Sequence, residues 1–421
     1  MEKTESIVPE GIKDSILQYR FTDLLKKHKK PFSGNATVWE RLEQAVDSDE
    51  SFKEHFNQFI IDEISNGKNR QVFICNFSIE SLAIISNYSS LKAKLSAQGL
   101  PVENINRLLD KDVEDGEMVY FNVETDTRNA DKVIKISIAF LNEVPVEVEI
   151  EGTTVVKTLS NYVWIDILPE KKYLKIKVRP ICANYMMNLE GSKRVFDYYW
   201  DFLKNKLGIV FTDMSETKNT LYSMFKELTE KAEAPYTKKV NSIVPEIDKQ
   251  VSKLANSIGL TNHKDPVDVS NRLARLIERA LILSDLKSYK GYNVGKIGIV
   301  DRIDFSDQSG ARVNALSGDE GIEVADIYFD TRETLDELKQ LNKIWISWFV
   351  PAEKFSLINE TGDKKSQSAP KIEKIETRIE VMSNRVAVFF LNEQSVPKEV
   401  QDHVLSLFRE FEEGEIPRTI S

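Results

Sequence analysis

The residue pattern predicts an α+β protein of several domains: N-terminal helices plus an antiparallel sheet, a central helical segment, and a C-terminal α+β domain. Three observations carry that expectation. Apolar spacing is helical over residues 1–115, alternates over 117–180, and is helical again over 190–290. The alternating stretches are consecutive and joined by turns holding Gly152, Pro145 or Pro169, which suits antiparallel pairing. At 421 residues the chain also exceeds the size at which one core stops growing. The expected domain boundaries are 1–185, 186–290 and 291–421.

In chain order, "DSILQYRFTDLLKKHKK" sets Ile16, Leu17, Tyr19, Phe21, Leu24 and Leu25 in a helical stripe that stops at Pro31. Lys26, Lys27, Lys29 and Lys30 fall in its last turn, where cations complement the helix dipole. "NQFIIDEISNG" and "SIESLAIISNYSSLKAKLSAQG" read as further helices around a buried strand, "QVFICNF". Next, "MVYFNVET", "DKVIKISIAFL", "PVEVEIEG" and "TTVVKTLS" are β-branched and alternating, as strands are.

The hairpin "NYVWIDILPEKKYLKIKVRP" follows. In its second strand Leu174, Ile176 and Val178 point one way and Lys175, Lys177 and Arg179 the other.

The central helices are "KRVFDYYWDFLKNKLG", "ETKNTLYSMFKELTEKAEAP", "PEIDKQVSKLANSIGL" and "PVDVSNRLARLIERALILSDL". In the third, Ile247, Val251, Leu254 and Ile258 are spaced 4, 3 and 4, a coiled-coil-like run short enough for an intramolecular helical hairpin. The last part reads as strands "GKIGIVDRIDF", "ARVNALS", "IEVADIYFD" and "KIWISWFVP". A helix "TRETLDELKQLNK", a polar loop "NETGDKKSQSAPK", a hairpin over 374–393 and a closing helix after Pro397 complete it.

Composition narrows the function classes. The net charge is −10, against the basic surplus of proteins that coat nucleic acid without regard to sequence. Two cysteines, Cys75 and Cys182, make neither a disulfide framework nor a zinc site and read as buried thiols. The four histidines have no ligand spacing. "GYNVGKIG" has only three residues between Gly291 and Gly295 and places Ile297 where a phosphate loop needs a hydroxyl. With no apolar leader and no span of 18 apolar residues, a cytoplasmic protein with no membrane partner, cofactor or metal is expected.

Two local features suggest binding. Residues 161–206 carry nine bases against five acids, a local net of +4 on an acidic chain. Lys172, Tyr173, Lys175, Lys177 and Arg179 mix cations with an aromatic ring, as nucleic-acid surfaces do, and Tyr185 lies just beyond. Arg272, Arg275 and Arg279, spaced 3 and 4, share a helix face. Solvated or internally paired charge is the competing explanation for both. Residues 301–340, with eleven acids and four bases (net −7), offer the arginines a partner in the same chain or a second copy.

The leading expectation is therefore a non-catalytic binding protein with a basic surface for DNA, RNA or another polyanion. The alternative is a protein-interaction subunit of a cytoplasmic assembly. It would make contact, with a partner or by self-association, through helix 193–206 or through Trp345 and Trp348. A third reading, a metal-dependent phosphohydrolase, rests on Asp301 and Asp326 meeting across two strands.

Overall fold

A computed structural model of the chain describes residues 6–150, 153–180, 191–260, 262–264, 268–286, 296–306, 310, 312–316, 321–322, 332, 334–351, 372–392 and 395–414. Helices α1 (Glu10–Ser15), α2 (Gln18–Lys27), α3 (Val38–Ser48) and α4 (Glu50–Asp62) lead through a π-helical turn (Glu63–Gly67) into β1 (Gln71–Asn76). After α5 (Leu82–Ile85) and α6 (Tyr88–Ala97) come β2 (Ile105–Asn106), β3 (Met118–Thr125), β4 (Val133–Ile150), β5 (Thr153–Leu168) and β6 (Tyr173–Val178). Helices α7 (Gly191–Phe202), α8 (Thr217–Asn241), α9 (Val244–Ser257) and α10 (Val269–Leu286) follow. The chain then forms β7 (Gly298–Ser306), β8 (Arg312–Leu316), β9 (Lys343–Pro351), β10 (Ile372–Met382), β11 (Arg385–Phe390) and α11 (Lys398–Glu412). The fold class is α+β.

The chain divides into two compact units, Met1–Ser215 with Met382–His403, and Glu216–Val381 with Val404–Ser421. The first holds antiparallel strands in the order β2-β3-β4-β5-β6-β1-β11. Strict alternation gives that sheet two apolar faces. Phe73, Ile138, Ile165, Ile176 and Val178 meet Leu91 of α6 and Phe196 and Tyr199 of α7 on one face. Ala139, Tyr162 and Trp164 meet Phe21, Leu42, Phe56 and Ile60 of α2–α4 on the other.

The cut thus falls after α7, where the sequence reading placed α7 with the central helices. Its aromatic stripe is complementary to the first sheet, and burial there decides its membership. Thr37 begins α3 with a capping box, its hydroxyl accepting from the Glu40 amide and the Glu40 carboxylate accepting from the Thr37 amide.

"DKVIKISIAFL" and "PVEVEIEG" prove to be one 18-residue strand, β4, and "TTVVKTLS" runs without a break into "NYVWIDIL" as β5. Pro145 does not stop β4. It pairs with Thr158 past the point where the β3 ladder has ended at Phe140, so a missing N–H costs no ladder bond there.

In the second unit β10-β9-β7-β8 are antiparallel neighbours. Helix α8 lies on β7 and β9, and α10 packs on α8 and α9. Val240 of α8, Ile247 and Val251 of α9 and Ala274 of α10 form the helical core, with Ile277 and Leu281 against it. No described helix is long and apolar enough to cross a membrane. Cys75 is buried. Cys182, Tyr185, the 291–295 part of "GYNVGKIG", the 323–330 part of "IEVADIYFD" and residues 359–371 lie outside the described residues.

Candidate functional site

The hairpin of 161–180 forms as its pattern predicts, with Leu168 opposite Tyr173 across the turn at 169–172. That register sets Asp166 opposite Lys175 and Trp164 opposite Lys177. The side of β6 carrying the lysines is the side on which α2–α4 pack, so its cations are directed into a layer and away from water. Lys177 is only 3% exposed. Its ammonium lies 3.3 Å from Asp166 Oδ2 and donates to Asn66 Oδ1 of the π-helical turn at 2.8 Å.

Asp166 is the hub of this cluster. Its Oδ1 accepts from Ser137 Oγ and from Trp164 Nε1, each at 2.9 Å, and Lys135 Nζ stands 3.2 Å away. Burial alone would raise the carboxyl. Lys177, Lys135 and Lys175, with the Trp164 bond, outweigh it and hold Asp166 well below the usual carboxylate range. The same burial pulls the Lys177 ammonium down to about 8 against the attraction of Asp166. Lys175 meets Asp402 of α11 at 3.8 Å. The arrangement is a hydrogen-bonded ionic clamp between two strands and the layer above them.

The remaining members of the predicted strand site are dispersed. Lys172 is exposed in the turn, with φ +53°, and Tyr173 is half-buried. Arg179 Nη1 donates to the carbonyl of Asp14 at 3.4 Å, and Lys68 Nζ donates to the same oxygen at 2.7 Å. Two cations therefore serve the carbonyl end of α1. Burial, reinforced by Arg179, pulls Lys68 down to about 8.

The arginine helix is α10, whose start is capped by Asp268 Oδ1 accepting from the Asn271 amide at 2.9 Å. Arg275 turns inward, 3.7 Å from Glu278 and 3.9 Å from Asp336, so part of the acidic 301–340 segment does meet the stripe within the chain. Arg272 is exposed and Arg279 half-buried.

Beside those arginines runs a feature the charge pattern hides. Ala274, Ile277 and Leu281 face the helical core, yet Val269, Leu273, Leu276, Ala280 and Leu283 form a second apolar stripe spaced 4, 3, 4 and 3. Leu276 is 57% exposed, and Leu254 of neighbouring α9 and Ile258, the residue that caps its end, are 66% and 78% exposed. The 4-3-4 run of α9 is therefore split, its first two members inside and its last two outside. Together these helices border an open apolar groove of about 410 Å³, which Val251, Leu254, Ile258, Leu260, Leu273 and Leu276 help to line.

Other proposed contacts are divided between core and surface. Trp348 is fully buried and donates Nε1 to Thr377 Oγ1 at 2.8 Å. Trp345 lies under the Arg302 guanidinium at 4.5 Å. On α7, Phe196 and Tyr199 are buried, while Tyr198 faces out. Asp301 Oδ2 accepts from Ser347 Oγ at 2.7 Å, and its proposed mate Asp326 lies outside the described residues. Among the described residues no group of three or more His, Cys, Asp or Glu side chains is placed to hold a metal.

No family model, curated protein or solved structure matches this chain.

Proposed function

We propose that the chain is a non-catalytic protein-interaction subunit that docks another polypeptide through the outer face of α9 and α10. The observation that carries this reading is the concentration of exposed Leu254, Ile258, Leu273 and Leu276 along one open groove. A contiguous apolar surface of this kind on a water-exposed helix pair is costly to solvate and is the usual mark of a contact surface. The polyanion reading is weakened by the fate of β6, because Lys177 is spent on Asp166 and Asn66 and Lys175 stands near Asp402.

A photocrosslinking side chain at Ile258 or Leu276, in the full chain and in the native cell, tests it. The expected result is discrete polypeptide adducts that vanish when Leu254→Asp is added. The same probe at Ile79, 69% exposed in the first unit, should yield none of them. Absence of adducts at both groove positions would overturn the proposal. Salt-dependent binding to DNA or RNA between about 50 and 200 mM, abolished by Arg272→Glu, would replace it with the polyanion reading.

A further inference from the structure

We infer that Lys68 and Arg179 form a binding site for a tetrahedral oxyanion, phosphate or sulfate, free or as the head of a small ligand. The site belongs to the first unit and does not depend on the docking reading. Both side chains line a partly open cavity of about 10 Å³, together with Ser15, Glu63, Asn69 and Tyr162. That volume receives one atom the size of a water oxygen. One oxygen of the oxyanion is seated there, and the rest of the group stands at the mouth.

Charge selects an anion. Lys68 and Arg179 are half-buried, and each donates to the same neutral oxygen, the Asp14 carbonyl, at 2.7 and 3.4 Å. Among the described residues neither is paired with a carboxylate within 4.0 Å. The acids nearby have cations of their own. Asp14 pairs with Lys157 at 3.2 Å and attracts Lys68 and Arg179 only from farther off. Glu63, on the cavity wall, has Oε1 held by Arg20 Nε at 2.9 Å and Nη2 at 2.6 Å, and its Oε2 accepts from Ser395 Oγ at 3.5 Å. Arg70 adds repulsion to both cations. Two like charges are thus gathered on one carbonyl, out of much of the water, and burial with the repulsion of Arg179 pulls Lys68 down to about 8. An anion relieves that mismatch, and a neutral ligand does not. Shape selects the tetrahedral group. An ammonium has three donors and a guanidinium five, and Asp14 takes one of each. A carboxylate has two oxygens, which one guanidinium fork can claim, whereas a tetrahedral group keeps a third for the ammonium.

The test uses the full chain with inorganic phosphate, sulfate, glycerol phosphate, acetate or chloride at one fixed ionic strength, read by calorimetric titration and by melting temperature. Phosphate and sulfate should bind saturably and raise the melting temperature. Acetate should bind about fivefold or more weakly than either, and chloride should act only as background salt. Glycerol phosphate against inorganic phosphate tells the head of a ligand from the free ion. Lys68→Gln and Arg179→Gln should each weaken sulfate binding by about tenfold, the loss of one charge-assisted contact. Lys172→Gln, exposed in the turn between β5 and β6, should leave it unchanged. Unchanged melting of each variant without added anion establishes that the fold is kept. Should a Gln variant melt early, Arg179→Lys carries the test, since it keeps the charge, loses the fork and should bind sulfate with intermediate affinity.

Absence of saturable binding by every tetrahedral anion would overturn the inference. Sulfate binding that survives both Gln variants, or that Lys172→Gln weakens equally, would overturn it too, because the anion would then be held elsewhere or by general charge. Acetate binding as tightly as sulfate would overturn the tetrahedral preference. None of these outcomes bears on the groove, whose own test is the photocrosslink.

Discussion

The lysine-bearing face of β6 and the leucine-bearing face of α10 end in places opposite to their polarity. Lys177 is 3% exposed, whereas Leu276 is 57% exposed. The difference lies in what the rest of the chain brings to each. Over β6, the π-helical turn supplies Asn66, β5 supplies Asp166 and α11 supplies Asp402. The ammoniums exchange water for hydrogen bonds while their methylene stems fill space. Over the outer stripe of α10 the described residues place no helix beyond α9, and the leucines keep their contact with water. Burial is decided by partners, so a buried charge with a full set of bonds is complete and an exposed apolar seam is not.

The comparison is broken most decisively at Asp166. Asp166→Ala should cost about 3–5 kcal/mol in urea unfolding, because it leaves Lys177 buried beside an empty position. A loss below about 1 kcal/mol would mean that the β6 face is wetter than its burial implies. Replacing both charges, Asp166→Leu with Lys177→Met, should cost less than the single change, since no buried ion is orphaned. A double-mutant cycle with near-additive costs would deny the clamp.

The clamp also sets an acid dependence. Asp166 is held below its unfolded value of about 3.9, so between the two values the unfolded chain binds more protons and stability falls as pH falls. The slope below about pH 4 should flatten in Asp166→Asn, read from unfolding midpoints at successive pH values. Smaller again is Thr37→Ala, which removes the hydroxyl that accepts from the Glu40 amide while the residue 37 amide can still donate to Glu40, and should cost about 1 kcal/mol by the same unfolding measurement. Last, Leu276→Gln on the open seam should change stability by less than about 0.5 kcal/mol in thermal melts. A larger loss would show that the seam is covered within the chain.

Much of this was legible from local pattern. The alternation of 161–180 and the turn at 169–172 fix the strand pairing, and with it the placement of Asp166 against Lys175. The acid that answers the basic face therefore sat in the same hairpin, five residues before the lysines begin at Lys171. Counting charge along the chain, instead of across the ladder, conceals it. What local pattern does not contain is the cover, since Asn66 and Asp402 are more than 100 and 200 residues away from the strand.

On α10 the limit is different. Both of its stripes are apolar, and the packing of Val240 from α8 with Ile247 and Val251 from α9 decides that Ala274, Ile277 and Leu281 face inward. The merging of four expected strands into β4 and β5 has a comparable cause. Proline reads as a stop until it is known that, among the described residues, no third strand reaches that level.

The β4–β5 arm carries a consequence for solubility. Past Phe140 the outer amides of Leu141 and Glu143 are still taken by the Glu117 carbonyl and the Asp115 carboxylate, and beyond them the rim of β4 has left β3 behind, the kind of rim on which chains stack into fibrils. Pro145 interrupts that rim within five residues of the last β3 partner, so an incoming strand meets a missing donor almost where it would begin to zip. The residue that looked like a chain break is, for a crowded solution of this protein, a guard against polymerisation.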